Sequence, residues 1–579
     1  MTLLRDAPKG AIFKGQLDNK KAKVKANSLF SAQERELHLS KWRDIKRYQL
    51  PFIGHLEQVE GPEQYDTDNV IDSYPTYCNN IFAAGVMSGL TPPSRQWFKL
   101  TLANSGIKNN HAISSVLDQR YEIMQSVFQK SNFYTACYQV YSELAFGEGA
   151  MAIYWDSRTG IRCEQFAIGT YAMSTGANGI VDTFCVRREM TLQQLIEAFG
   201  LDALPMRLRP NEESTSQLSQ MYEVYWLVEP NRDYIKGEIG KTKMKYRSYY
   251  WLSDDESFLE VGGFNTFPVA VARYHVNGNE VYGKGAGWYA NDDAKMLQVQ
   301  QEDKLSAVEL QVKPPMQASS NIAYSINLIP GSITPVDNPN DRIQPLFNVA
   351  INLEHLLRTI EETKESIRRA YNADLFLMME QIDSGQMTAR EVMERSQEKL
   401  QQLGPVVERL QYEFLNTVIE RAYSILAERK LFPEIPDELK EHLAGKELKI
   451  DFTSPLAQAQ KMAGLTTIEQ AVGFITSLMQ AYPEVQAKID PIGLVNEYTR
   501  QLGAPAAMFR SDEEAQALLQ QQQQAVAEQQ ALMEQQAMLQ QVPGIAKATK
   551  DVTDAANNGG NEAMADWLGM PGLGGDAGE

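Results

Sequence analysis

Chemistry-bearing residues are scarce in this sequence: six histidines and four cysteines stand among 579 residues. Cys78, Cys137, Cys163 and Cys185 form no C-x-x-C pair and have no histidine at ligand spacing. That argues against a zinc site or a disulfide framework and for reduced thiols. His38, His55, His111, His275, His355 and His442 are scattered, and neither H-E-x-x-H nor G-x-S-x-G occurs. No apolar run is long enough to span a bilayer, so no transmembrane helix is expected. The first residues lack the apolar stretch of a signal peptide. No metal, cofactor or catalytic constellation is expected.

Positive charge is short as well. Lys and Arg number 55 against 74 Asp and Glu, a net charge of −19. Tight, sequence-specific DNA binding needs a basic footprint that this balance denies, although an acidic wall can surround a duplex and let it slide. The imbalance is uneven: residues 1–50 carry 12 basic and 5 acidic side chains, residues 511–579 carry 2 and 11. The length predicts several domains, and 43% hydrophobic residues predict a folded protein.

The coarse pattern is α+β and mainly helical. Residues 1–27 are basic and polar without apolar period and read as a flexible arm. Ser31, with Glu34 three residues on, predicts a capped helix ending at Pro51. Residues 112–145 are helical in pattern. Strands follow: AMAIYWD, IRCEQFAI, a turn at Asn178-Gly179, IVDTFCVRR, then MYEVYWLVEP, KYRSYYWLS and FPVAVARYHV. Residues 291–313 place Ala294, Leu297, Leu305, Val308 and Val312 on one helical stripe, stopped by Pro314-Pro315. A Pro-rich insert with short β runs leads to a second helix with Leu353, Leu356, Leu357, Ile360 and Ile367 on its stripe. Two long helices flanking a small module predict a projecting hairpin. Residues 372–387 have Met and Gly without clear period. Thr388 and Glu391 form a capping box, and a break is expected at Gly404-Pro405. Residues 434–505 read as a small helical unit. In the Gln-rich stretch 511–541, capped by Ser511 and three acids, Leu518, Ala525, Leu532 and Leu539 recur every seven residues and predict a helix seeking another helix; a polar tract without structure is the alternative. Residues 542–579 read as disordered.

Two features invite a chemical reading. Gly278 to Lys284 match the first seven positions of a phosphate-binding loop, but Gly285 stands where the Mg²⁺-binding hydroxyl belongs, and no helix follows directly. A Gly-rich turn is expected instead. Asp292-Asp293 sits where a helix begins, which dipole complementarity explains without a metal. On the second long helix, Arg358, Lys364, Arg368 and Arg369 alternate with glutamates at i,i+3 and i,i+4 spacing. They read equally as a salt-bridged solvated face or as a ring of alternating charge.

The stretch Asp72–Leu100 is the most distinctive. Ile81, Ala84, Gly85, Met87 and Ser88 make a small-residue helix that a second backbone can approach, ended by Thr91-Pro92-Pro93 and followed by Trp97 and Phe98. It closely resembles the signature of the portal, or head-to-tail connector, family of short-tailed bacteriophages (podoviruses). The resemblance continues in order through Phe146-Gly147-Glu148-Gly149-Ala150, Asn178-Gly179, Asp182-Thr183, Met190-Thr191, Phe199-Gly200, Phe267-Pro268, Arg273-Tyr274, Tyr282-Gly283-Lys284-Gly285, Ala370-Tyr371, Asp374-Leu375-Phe376, Met387-Thr388-Ala389 and Leu403-Gly404-Pro405-Val406. It covers about residues 30–505 and leaves the Gln-rich helix and tail to position alone. One departure is Lys284, where Arg is more usual.

What the resemblance implies is a non-enzymatic homo-oligomeric ring, generally of about twelve subunits, at one vertex of the virion capsid. Double-stranded DNA is packaged and ejected through it without sequence preference. Implied partners are the large terminase subunit, a tail adaptor protein, the major capsid and scaffolding proteins and internal core proteins, with assembly in the host cytoplasm and no membrane. The parts would be arm and wing (1–283), first stem helix (284–313), clip (314–347), second stem helix (348–371), tunnel loop (372–387), wing helix (388–430), crown (431–510), barrel helix (511–541) and tail (542–579). Channel candidates are Phe376, Met378, Met379, Gln381, Lys364, Arg368 and Arg369. Clip candidates for terminase or tail contact are Asn321, Tyr324, Asn338, Asp341 and Arg342, and the barrel seam is Leu518, Ala525, Leu532 and Leu539. The alternatives are a head-tail adaptor without a DNA-motor role and a nucleotide-using enzyme built on the 278–285 loop.

Overall fold

Cross-strand aromatic pairs organise the β-rich middle of the chain, because directly opposed rings bury large areas and add about 0.5–1.5 kcal/mol each beyond that area. The computed structural model describes residues 19–56, 67–102, 111–209, 215–235, 243–255, 258–318, 333, 344–346, 353–377, 403–434, 448–454, 472–475, 518, 520–522 and 524–533. In chain order the elements are α1 (Asn19–Phe30), α2 (Gln33–Tyr48), α3 (Tyr74–Leu90), β1 (Phe98–Leu102), α4 (His111–Lys130), α5 (Phe133–Glu143), β2 (Glu148–Asp156), β3 (Gly160–Phe166), β4 (Tyr171–Thr175) and β5 (Val181–Thr191). They continue with α6 (Leu192–Phe199), α7 (Thr215–Leu218), β6 (Met221–Pro230), β7 (Tyr246–Leu252), β8 (Phe258–Phe264), β9 (Val269–Arg273), α8 (Ala286–Tyr289), α9 (Asn291–Val312), β10 (Met316–Gln317), β11 (Gln344–Pro345), α10 (Leu353–Ala370), α11 (Asn416–Glu428) and β12 (Leu448–Phe452). The fold is α+β.

A five-stranded antiparallel sheet runs β4-β5-β6-β7-β8, and a three-stranded one runs β3-β2-β9. In the larger sheet Tyr225 lies opposite Trp251 and Trp226 opposite Tyr250, and both pairs stack, at 5.4 and 5.7 Å. The pleat sends them to opposite faces. Trp226 and Tyr250 enter the main core with Phe166 and Phe184. Tyr225 and Trp251 belong to a second cluster that includes Ala26 of α1.

That second cluster corrects the expectation of a flexible arm over residues 1–27: from Asn19 onward the chain is helical. Ala22, Ala26, Leu29 and Phe30 face the sheet, while Lys25 pairs with Glu229 and Lys23 donates to the carbonyls of Ser253 and Asp255. Tertiary docking, not amphipathic strength, fixes this helix. The cap expected at Ser31 is also different. Ala32 is the N-cap of α2 and makes no side-chain cap; Ser31 Oγ donates back to Asn27 O, and Glu34 is used elsewhere.

Residues 434–505, expected to be helical, contain a strand. β12 pairs antiparallel with β1, Phe98 opposite Phe452 and Leu102 opposite Leu448. Residues 403–409 are helical, with Pro405 in the tolerated region of a first described turn; the chain before Leu403, where the break or kink at Gly404-Pro405 would begin, lies outside the described residues. Leu410–Leu415 is then π-helical and runs into α11. Buried Leu410, Phe414, Val418, Ala422 and Leu426 recur by fours, a spacing that drifts about 40° per step on a regular α-helix; the wide turn absorbs that drift.

Inside the main core lie charges. Arg273 is 1% exposed. It forms a bidentate pair with Glu413 of the π-helical turn at 2.7 and 2.8 Å and donates to the carbonyls of Gly179 and Val281. Such a pair is costly to break, because the survivor is a buried, uncompensated charge. Glu143 accepts from the Ile168 amide at 3.1 Å. Burial pushes its carboxyl up to about 8, against smaller opposing effects from that amide and Gln165. Between its ordinary value of 4.5 and about 8 the folded state holds a proton that the unfolded state has lost, so this group removes stability as pH rises through that window. Glu143→Gln should therefore gain melting temperature over the parent at pH 8, with the gain shrinking toward pH 5, in thermal unfolding at both pH values.

Candidate functional site

Small residues bring distant segments together where the β-rich part of the chain meets two long helices. Gly147 has φ +126°, and a Cβ on Gly147, Gly283 or Gly285 would strike backbone of the opposing segment; one on Gly287 would lie 2.8 Å from Ala145 O. The turn 144–148 and the loop 283–287 therefore touch backbone to backbone, with Gly287 N donating to Ala145 O at 3.0 Å, while Gly147 O accepts from Tyr274 N, just after β9, at 2.8 Å. This contact launches α8 and α9.

The glycine loop before it is not a phosphate cradle. Val281 N and Tyr282 N donate to Glu34 Oε1 at 2.7 and 2.9 Å, Gly283 N to Glu148 Oε2 at 2.9 Å, and Lys284 N to His275 O at 2.7 Å. Lys284 Nζ pairs with Glu280 at 2.9 Å. The amides that would hold an anion are spent on the protein's own carboxylates, and the lysine is neutralised.

α9 and α10 pack side by side. At the end where α9 begins and α10 finishes, Ala294, Leu297, Ile360 and Ile367 are buried. Farther along, the same stripes come out: Leu305 is 59%, Val312 71% and Leu357 45% exposed. Beyond Val312, β10 and β11 pair antiparallel, Met316 opposite Pro345, and close the neck of the insert. Polar ties fix that buried end. Gln298 Oε1 accepts from Ile71 N and Asp72 N, both at 2.8 Å; Asp72 Oδ2 accepts from Gln301 at 2.7 Å and pairs with Lys364 at 2.9 Å. Ser366 donates to Asp293 at 2.5 Å.

The candidate residues can now be placed. Lys364, 22% exposed on its side chain, is turned into the Asp72 tie and rests over Tyr74. Arg368 pairs with Glu365 and with Asp374 (2.8 Å), whereas Arg369, 73% exposed, reaches Glu365 at 3.1 Å. Arg358 pairs with Glu362 at 3.2 Å, so α10 carries ion pairs at i,i+3 and i,i+4 spacing, which both readings of its charges contain. Phe376 is a correction: it is buried, its ring seated against Gly85 of α3 and 5.9 Å from Phe82. The small-residue face of α3 thus receives an aromatic side chain, not a second backbone, and Phe376 anchors the base of its segment. Met378, Met379 and Gln381 lie outside the described residues, as do Asn321, Tyr324, Asn338, Asp341, Arg342 and Leu539. The described part of the second unit (within residues 505–579) is helical, with Leu518 half-buried and Ala525 and Leu532 exposed. Sequence reading missed Gln49, Asp72 and Gln298; only Gln298 carries a signal, a polar residue at a buried phase of α9.

A family model described as bacteriophage head to tail connecting protein matches residues 22–509. The chain belongs to this family. It is 33% identical over 495 residues to the portal protein of Salmonella phage epsilon15, covering 84% of this chain and 88% of that one. It is 31% identical over 479 residues to the probable portal protein of Bordetella phage BPP-1, covering 81% and 85%. The family is a structural one, and the chain's function is that of a phage portal protein. No described helix is long and apolar enough to cross a membrane. With its loop amides occupied, the parent protein should show no saturable binding of a fluorescent ATP analogue. Saturable binding abolished by Lys284→Ala would contradict the loop geometry.

Proposed function

We propose that this portal protein is a ring-shaped channel, of about twelve copies, through which double-stranded DNA enters and leaves the capsid. The observation that carries this is the α9–α10 hairpin with its outer apolar stripe unpaired. Leu305, Val308, Val312 and Leu357 are too exposed for a lone chain, and a symmetric neighbour buries such a stripe. The acidic balance of −19 fits a wall that repels phosphate and leaves the duplex free to move.

In this reading α9 and α10 are the stem, residues 314–347 the clip that meets the large terminase subunit and then a tail adaptor protein, and the elements before 284 with the helix ending at Glu428 the wing, facing major capsid and scaffolding proteins. Residues 377–387 form the loop that narrows the channel, anchored by Leu375 and Phe376. Residues 431–510 form a crown, with β12 tying it to the wing. The Gln-rich helix joins its copies in a barrel through Leu518, Ala525, Leu532 and Leu539. Internal core proteins would meet this end, and the ring, assembled in the host cytoplasm, resides in the virion.

Negative-stain microscopy of the purified chain should show rings with a central hole; a monomer that persists across concentration and salt would overturn the reading. Deleting residues 378–385, beyond the buried anchor, should leave rings intact and abolish DNA retention in filled heads. Loss of the rings themselves would show that the segment holds subunits together.

A further inference from the structure

One buried amide joins both ends of the stem hairpin. Gln49, at the C-terminal end of α2, is fully buried. Its Oε1 accepts from Tyr371 Oη at 2.8 Å, and Tyr371 directly follows α10. Its Nε2 donates to Gly287 O at 3.0 Å and Asn291 Oδ1 at 3.3 Å, in the turn where α8 passes into α9. Its backbone carbonyl accepts from Thr76 Oγ1 of α3 at 2.6 Å. Four elements meet at this residue: α2, α3, the start of the first stem helix and the end of the second.

We infer that Gln49 is a positioning residue that couples the tilt of the stem hairpin to the root of the segment after α10. The inference rests on reading α9–α10 as the stem and the following segment as the channel-narrowing loop.

Three features support it. The first is the lever. The 22 residues of α9 extend about 33 Å, and its apolar packing within the chain thins toward the insert, so movement of the far end pivots about the wing end. Apolar contacts slide, whereas hydrogen bonds at fixed angles hold or break. The second is the hinge beside the node. Asn372 has φ +52°, a left-handed conformation that ends α10 and turns the chain toward Leu375 and Phe376, whose burial against α3 fixes the loop's departure. Gly287 leaves no slack on the other side, since a Cβ there would stand 3.2 Å from Tyr371 Oη. The third is the chemistry. Only an amide both accepts from the tyrosine and donates to two oxygens. A carboxylate would face Gly287 O and Asn291 Oδ1 without a donor, and an apolar side chain would strand the Tyr371 hydroxyl. Asn291 Nδ2 has no partner among the described residues, so the node already carries one unsatisfied buried donor on the stem side.

The test uses the full-length protein with Gln49→Met, which keeps shape and loses the bonds, and Tyr371→Phe, which removes one hydroxyl and cannot overpack. Hydrogen exchange is read peptide by peptide, and DNA retention is measured in heads assembled with each variant. Both variants should form rings, with amides of 372–377 exchanging about ten- to a hundredfold faster, as expected when a buried polar group loses its partner. Exchange in β5–β7 should not change, and filled heads should lose DNA. The double variant should exchange no faster than Gln49→Met alone, because the two residues share one bond. Unchanged exchange at 372–377 would overturn the inference, as would a uniform rise across the wing with DNA retained. If the parent forms no rings, the portal reading fails first. If rings form and the 378–385 deletion loses DNA while Gln49→Met retains it, only the role of Gln49 fails.

Discussion

Backbone-to-backbone contact between the turn 144–148 and the loop 283–287 is the constraint from which the rest follows. At Gly147, Gly283, Gly285 and Gly287 there is no room for a side chain, so strand β2 and the start of the α8–α9 segment share one rigid seam. The seam gives β2 and β9 their register, Glu148 opposite Arg273. It also leaves the amides of residues 281–283 pointing into the protein, where Glu34 and Glu148 satisfy them. A loop that looks like an anion site in sequence is therefore a structural joint, and the helix it releases has a fixed starting direction.

Polar groups in this protein serve joints more than surfaces. Arg273 gathers the hairpin tip at Gly179, the carbonyl of Val281 and the π-helical turn around one guanidinium, whose planar fork suits the Glu413 carboxylate. Asp72, Gln298, Gln301 and Lys364 bind the entry to α3 to both α9 and α10. These groups sit where elements of different sequence origin converge, which is where apolar packing alone leaves orientation undetermined.

Much of this was legible from local pattern. The strands β2, β6 and β7, the Asn178-Gly179 turn and the two helices flanking Pro314-Pro315 are stated by period and punctuation, and the ordered motifs named the family. What was illegible depends on distant partners. α1 looks like a solvated lysine run because its apolar set is small, and the sheet that captures it begins only at Tyr171 and forms from its own registers. β12 is five residues long and finds its mate in β1, far back in the chain. Phe376 looked like a channel residue because the cavity that receives it is made by the absence of a side chain at Gly85. Lys364 read as one charge among the glutamates of its own helix because the acid it pairs with, Asp72, belongs to another segment.

The π-helical turn at Leu410–Leu415 sets a rule for how this chain can change length. One residue fewer there would restore a regular α-helix and rotate everything after it by about 100° about the helix axis. Arg421, which donates to Ile153 O at 3.2 Å from a buried position, would swing away from β2, and Ile425 and Leu426 would leave the core with it. The segment therefore acts as a phase corrector. The turn carrying Glu413 and the stretch carrying Arg421 can both face inward only while the extra residue is kept, and a shortened relative would have to rebuild both contacts together.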